Sequence, residues 1–283
     1  VTCQLPEALP LLSPDVAEKI IEQEMGGIYA FKGQWAFARN EERSGGSCFA
    51  GNIDAKECKA KGYLFSSFKG EASYAPQEAA IHNITIADEA GIIDIDTLTM
   101  KKDAKQQWNF AIPTVQIKNF RPSLLRETSR PLPPPRNSLI LSAIEIEDVK
   151  GILSETLTWK GNGNFTFANP PKSSLQNTIF AIPAEIITRI GLNPAVLTPI
   201  EGAVQFEIEE GKILFKKFKD VYSDSRASKF YLPNSTTPSF LDFEGNLNIQ
   251  VRMKQYNLLF KIAELFTVTV KGNLEKPVCT LRK

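Results

Sequence analysis

From Leu241 to Met253 the chain alternates apolar and polar residues with a strict period of two. Leu241, Phe243, Leu247, Ile249, Val251 and Met253 take the odd positions, with Gly245 in the gap. Asp242, Glu244, Asn246, Asn248, Gln250 and Arg252 take the even ones. A helix would scatter these two sets around its axis, whereas a strand sends each to one face. The run predicts a single long, half-buried strand in an antiparallel sheet with one apolar and one wet face. Val204, Phe206 and Ile208 repeat the pattern against Gln205, Glu207 and Glu209. Phe266, Val268 and Val270 repeat it against Thr267, Thr269 and Lys271. It is weaker over Ile81–Ile86 and Ile92–Leu98.

Helix signals are few. Ser13 as N-cap, Pro14 in the first turn and Val16, Ile20 and Ile21 on one side predict a helix over 13–27, stopped by Gly26 and Gly27. Shorter helices are expected over 183–190 and 256–265. Residues 121–137 contain Pro122, Pro131, Pro133, Pro134 and Pro135 and read as an extended connection that cannot enter a sheet interior. Its P-x-x-P-x-R sequence at Pro131–Arg136 matches an SH3 ligand, but a surface linker accounts for it. These features divide the chain into a helix plus β unit (1–120), a proline-rich linker (121–137) and a second β unit (138–283). Each half offers a proline-introduced helix, then glycine, then an alternating strand, as two related units would.

Charge narrows the function. The 283 residues carry 33 basic and 32 acidic side chains, so the basic excess of a nucleic-acid binder is missing. The single histidine, His82, leaves no histidine-rich metal site and only one imidazole base. Gly45-Gly46-Ser47-Cys48-Phe49 lacks the closing glycine of a serine-nucleophile elbow. Asp94 and Asp96 stand two apart on a strand, a spacing open to acid–base work or calcium but normal for a solvated face. Gly161-Asn162-Gly163-Asn164 reads as a hairpin turn and not as a phosphate loop. Lys216, Lys217 and Lys219, with Phe215 and Phe218, read as the wet side of a strand opposite Glu207, Glu209 and Glu210. Asn83, Asn164 and Asn234 begin N-x-S/T sequons, at a density near that of chance.

Cysteines at 3, 48, 58 and 279 form no C-x-x-C pair and hence no zinc spacing. Of the three pairings, Cys48 with Cys58 is short enough for a hairpin clip, while Cys3 with Cys279 would tie the ends together. Four idle thiols are the plain alternative. No apolar run reaches the roughly 18 residues of a membrane-spanning helix. A chain starting at Val1 reads as a processed or excised piece.

In the last third, Leu197-Thr198-Pro199-Ile200-Glu201-Gly202, Val204–Ile208 and Glu210–Ile213 stand before Leu241-Asp242-Phe243-Glu244-Gly245-Asn246-Leu247. Val268–Pro277 closes the series with Gly272-Asn273-Leu274-Glu275-Lys276-Pro277. Together, over roughly 197–277, these segments resemble the C-terminal region of AsmA/TamB-like bacterial envelope proteins. The resemblance implies a periplasmic protein anchored to the inner membrane by a segment outside this chain. It implies repeated β units forming an elongated groove, and a part in phospholipid transport between membranes or in outer-membrane upkeep.

The expected fold is therefore mainly β, an elongated, curved, groove-like antiparallel sheet of two related units with a few short helices. The expected function is non-enzymatic: an apolar groove shielding phospholipid acyl chains, with no catalytic residue, metal or cofactor. Val204, Phe206, Ile208, Leu241, Phe243, Leu247, Ile249, Val251, Met253, Phe266, Val268 and Val270 are its candidate lining. The alternative is an assembly module that binds an envelope protein by sheet-edge pairing, without lipid.

Overall fold

The computed structural model describes residues 2–4, 7, 18, 20–22, 24–36, 48–60, 63–121, 140–168, 199–255, 264–273 and 276–282. They are mainly β, antiparallel throughout and hardly helical. Two compact units divide the chain, 1–134 with 147–154 and 135–146 with 155–283. Of the three dividing points, one lies between 134 and 135, one within β8 (Leu141–Ile152) and one in the turn after it.

In the first unit, β1 (Thr2–Gln4), β2 (Gly26–Ala36), β3 (Cys48–Ala60), β4 (Tyr63–Ala75), β5 (Glu78–Asp88), β6 (Gly91–Lys102) and β7 (Trp108–Phe120) pair each with the next. Directly opposed residues share a face, so the register shows how the side chains sort. Tyr29, Ala55, Phe68, Ile86, Ile93 and Ile117 form one continuous rung. Ile84, Ile95 and Val115 form another, and Phe49, Tyr74, Ala79, Met100 and Phe110 a third. The reverse face carries Lys69, Thr85, Asp94 and Gln116 along a single rung.

In the second unit, β9 (Glu155–Ala168), β10 (Pro199–Glu209) and β11 (Lys212–Ser223) are consecutive neighbours. Two short strands, β12 (Ser228–Tyr231) and β13 (Ser239–Asp242), then share one place between β11 and β14 (Asn246–Gln255). Residues 232–238, which include Pro233 and Pro238, separate the two. Side chains patch the interrupted ladder: Gln250 N–H donates to Ser239 Oγ at 3.0 Å, and Asn248 Nδ2 donates to the Pro238 carbonyl at 3.2 Å. β15 (Glu264–Asn273) and β16 (Lys276–Arg282) complete the order.

The structure corrects several expectations. The run 241–253 is not one strand: Phe243, Glu244 and Gly245 form the turn of a hairpin in which Leu241 opposes Leu247. Opposed residues six apart have the same parity, so the alternation passes through the turn unbroken. Gly161-Asn162-Gly163-Asn164 lies inside β9 and is not a turn. Gly163 is opposite Phe206, and a Cβ there would stand 2.6 Å from that ring and 2.5 Å from the Glu145 carbonyl oxygen. Glycine is required for the ring to lie on the backbone.

Cys48 and Cys58 lie on the same strand, β3, roughly 33 Å apart by strand rise, so no hairpin clip joins them. Burial pushes the Cys58 thiol up, against smaller opposing hydrogen bonds from its own backbone and Tyr29. The side chains of Cys3 and Cys279 lie outside the described residues. Of the expected helices, 183–190 is outside them too. Glu18 and 20–22 are helical within 13–27. Glu264 and Leu265, expected to end a helix, instead pair with Gln255 and Lys254 as strand. The linker 122–137 lies outside the described residues.

Bulges adapt the ladder to the sequence. β11 places Phe215, Phe218 and Val221 three apart, a spacing no regular strand could turn to one face. Register shifts in the pairing with β10 correct it, leaving Phe215 opposite Phe206 and Phe218 opposite Val204. Asp220, at φ +50°, stands beside the second shift. Across from it Gly202 takes φ +153°, where a Cβ would come within 2.7 Å of Val221 Cα.

Met253 is fully buried, and truncation to alanine should cost about 2–5 kcal/mol in a urea titration followed by circular dichroism. Leu247→Asp, which buries an unpaired carboxylate, should leave no folded second unit.

Candidate functional site: the apolar sheet faces

The second unit gathers its apolar residues with few exceptions. Ile208, Ile213, Leu241 and Leu247 form a rung that ends in Gly161 and Gly272. Phe165, Val204 and Phe218 form another, and Met253 joins Phe230 on one side to Phe266 on the other. Ile249 is opposite Val270 and Val251 opposite Val268. Register thus brings eleven of the twelve candidate lining residues to one face. The twelfth, Phe243, sits in the β13–β14 turn and is 41% exposed.

Val204, Phe206, Ile208, Leu247, Ile249, Val251, Met253, Val268 and Val270 are all buried and Leu241 is half-buried; the side chain of Phe266 lies outside the described residues. The Phe165 and Phe206 rings meet at 6.1 Å between centroids. These side chains already make a packed interior. Phe165, Phe167, Phe218, Val221 and Phe230 belong to the same buried set and were not among the candidates. Only the bulges and the pairing reveal their common side.

The first unit differs. Phe68, Ile86, Ile93, Ile95 and Ile117 are half-buried and contiguous by register, beside a buried set of Phe49, Ala55, Ile84, Phe110 and Val115 that is smaller than the second unit's. The opposed pair Gly33–Gly51 leaves a gap in the side-chain layer. Phe31 and Phe49 meet diagonally across it, edge to face, at 6.2 Å. The five half-buried side chains therefore keep partial contact with solvent on neighbouring strands.

The polar faces hold the remaining candidates. Asp94 accepts from Thr85 Oγ1 at 3.2 Å and pairs with Lys118 Nζ at 3.1 Å. Asp96 accepts from its neighbour Thr97 at 3.4 Å. Both border an open depression of about 460 Å³ with Thr114 and Gln116. His82 Nδ1 lies 3.1 Å from Thr97 Oγ1. Among the described residues no three His, Cys, Asp or Glu side chains are grouped to hold a metal ion. Lys216 pairs with Glu207 at 2.6 Å, on the strand whose bulge sends Phe215 and Phe218 inward. Asp94, Asp96 and Lys216 are thus ion-paired or hydrogen-bonded on solvated faces.

The β13–β14 turn is built around Asp242. Its Oδ1 accepts the N–H groups of Asn246 at 2.7 Å and Glu244 at 3.0 Å, and its Oδ2 accepts Asn246 Nδ2 at 3.0 Å. Desolvation pushes the carboxyl up, but these bonds and the Lys212 charge outweigh it and hold it below the usual carboxylate range. The Phe243 N–H donates to the Gly211 carbonyl at 3.0 Å, tying this turn to the β10–β11 turn.

Comparison with protein families, curated proteins and solved structures finds no match for this chain.

The lowered Asp242 pKa means its contribution to stability is complete above about pH 4 and is lost as pH falls through the lower, folded-state value. Urea titrations of wild type and Asp242→Asn should therefore differ at neutral pH and converge in acid. A difference independent of pH would contradict this account of the turn.

Proposed function

We propose that the protein is non-enzymatic and shields phospholipid acyl chains on an apolar sheet face, in lipid movement between bacterial envelope membranes or in outer-membrane upkeep. The observation that carries this reading is the first unit's run of contiguous, half-buried Phe68, Ile86, Ile93, Ile95 and Ile117 on neighbouring strands. A chain of methylenes laid along them loses water contact at roughly 25 cal/mol per Å² of apolar surface covered, with no directional bond needed. The second unit, taken by itself, differs in that phenylalanine and aliphatic side chains fill its own apolar side.

The envelope setting rests on the resemblance of residues 197–277 to AsmA/TamB-like proteins. It includes a periplasmic location and an inner-membrane anchor outside this chain. Among the described residues no helix is long and apolar enough to cross a membrane.

Sheet-edge binding of an envelope protein is the second reading, and one observation favours it. Among the described residues β16 pairs only with β15, leaving its other edge open, and Val278 on it is 63% exposed.

Native mass spectrometry of gently purified protein, followed by solvent extraction, tests both. The lipid reading expects copurifying phospholipid, reduced severalfold in an Ile86→Gln/Ile93→Gln variant that keeps its circular dichroism spectrum. A lipid-free mass, no uptake of a fluorescent phospholipid and capture of one defined envelope protein would favour the edge reading.

A further inference from the structure

The apolar face of the second unit finishes, at one end of its strands, in exposed Leu157 and Phe243 beside a half-buried Trp159. Along β9, Leu157 and Trp159 continue the alternation of Gly161 and Gly163 past the Glu210–Gly211 turn that joins β10 to β11. Leu157 is 73% exposed, and its Cδ2 lies 3.1 Å from where a Cβ on Gly211 would stand. The rings of Trp159 and Phe243 meet at 5.8 Å and 61°. Phe243 is held in this exposed place by the Gly211 carbonyl and by the Asp242-centred turn. Hydrophobic collapse would instead have drawn it under the sheet.

We propose that Leu157, Trp159 and Phe243 form a bilayer-contacting tip that seats these strand ends in the interfacial region of a zwitterionic phospholipid membrane. A stable protein interface buries about 800 Å² on each partner, more than three side chains at a turn tip can supply. A bilayer needs no such matched area and accepts a few inserted side chains. Trp159 has the amphipathic indole that favours the headgroup level, between leucine and phenylalanine that reach into hydrocarbon.

Charge selects the kind of membrane. The strand ends and turns around the tip carry Glu155, Glu209, Glu210, Asp242 and Glu244 against Lys160, Lys212 and Lys276. That acidic excess gives anionic headgroups no attraction. The proposal deepens the lipid-shielding reading by assigning where the protein meets a membrane, yet vesicle contact is measured separately from bound lipid.

The test is flotation of the full chain with phosphatidylcholine vesicles. Wild type should float with them, and raising salt should not release it. Leu157→Ser/Phe243→Ser, both at exposed positions, should cut the floated fraction roughly tenfold with an unchanged circular dichroism spectrum. Brominated phosphatidylcholine should quench tryptophan emission in wild type and not in Trp159→Phe. No flotation, equal flotation of the variant, or binding only to anionic vesicles would overturn the proposal. A concentration-dependent dimer that the double substitution abolishes would also overturn it, in favour of a protein contact. Mass spectrometry of the same samples separates the two readings. Cluster-dependent flotation of protein that carries no lipid would leave the tip standing and remove lipid shielding. Copurifying lipid without flotation would do the reverse.

Discussion

Everything in this protein depends on keeping opposed residues of successive antiparallel strands on the same side. A slip of one residue at any hairpin would send a whole strand's apolar set into water. The chain prevents that with turns and bulges placed where the sequence departs from strict alternation. Gly202 opposite the Asp220 bulge is one such point, and the paired shifts that align Phe215, Phe218 and Val221 are another. Glycine at 163 lets the Phe206 ring reach the sheet floor without displacing the ladder.

The two units meet this constraint in different ways. The second fills its apolar side with phenylalanine from β9, β10, β11 and β12, and its aliphatic rungs are buried except at half-buried Ile213 and Leu241. The first mixes isoleucine and alanine with tyrosine and phenylalanine in its rungs, and Phe68, Ile86, Ile93, Ile95 and Ile117 keep partial contact with solvent. The physical difference is one of side-chain volume over similar backbone geometry. It is why we propose acyl-chain shielding for the first unit. The residues first picked out by alternation, in the second, are those that hold that unit together.

Much of the fold was legible because alternation reports directly on sidedness. The strands at 204–208 and 266–270, and the weaker ones at 81–86 and 92–98, lie where the pattern predicts. What was hidden follows from the same rule. A hairpin whose opposed residues have equal parity, Leu241 with Leu247, leaves no mark in a period-two pattern. Bulged β11 breaks the period although its strand is continuous. Sequence nearness misled at Cys48 and Cys58, which an extended strand holds far apart. The exposed aromatic at Phe243 was read as lining because its parity matched. Only the turn geometry shows it at the tip.

Methyl relaxation by a spin-labelled lipid is the most direct test of where an acyl chain lies. Phosphatidylcholine carrying a nitroxide midway along one acyl chain would be added to protein with labelled isoleucine methyl groups. The account predicts strong broadening at Ile86, Ile93, Ile95 and Ile117, with Ile208 and Ile249 unaffected. Broadening confined to Ile208 and Ile249, or none anywhere, would contradict it.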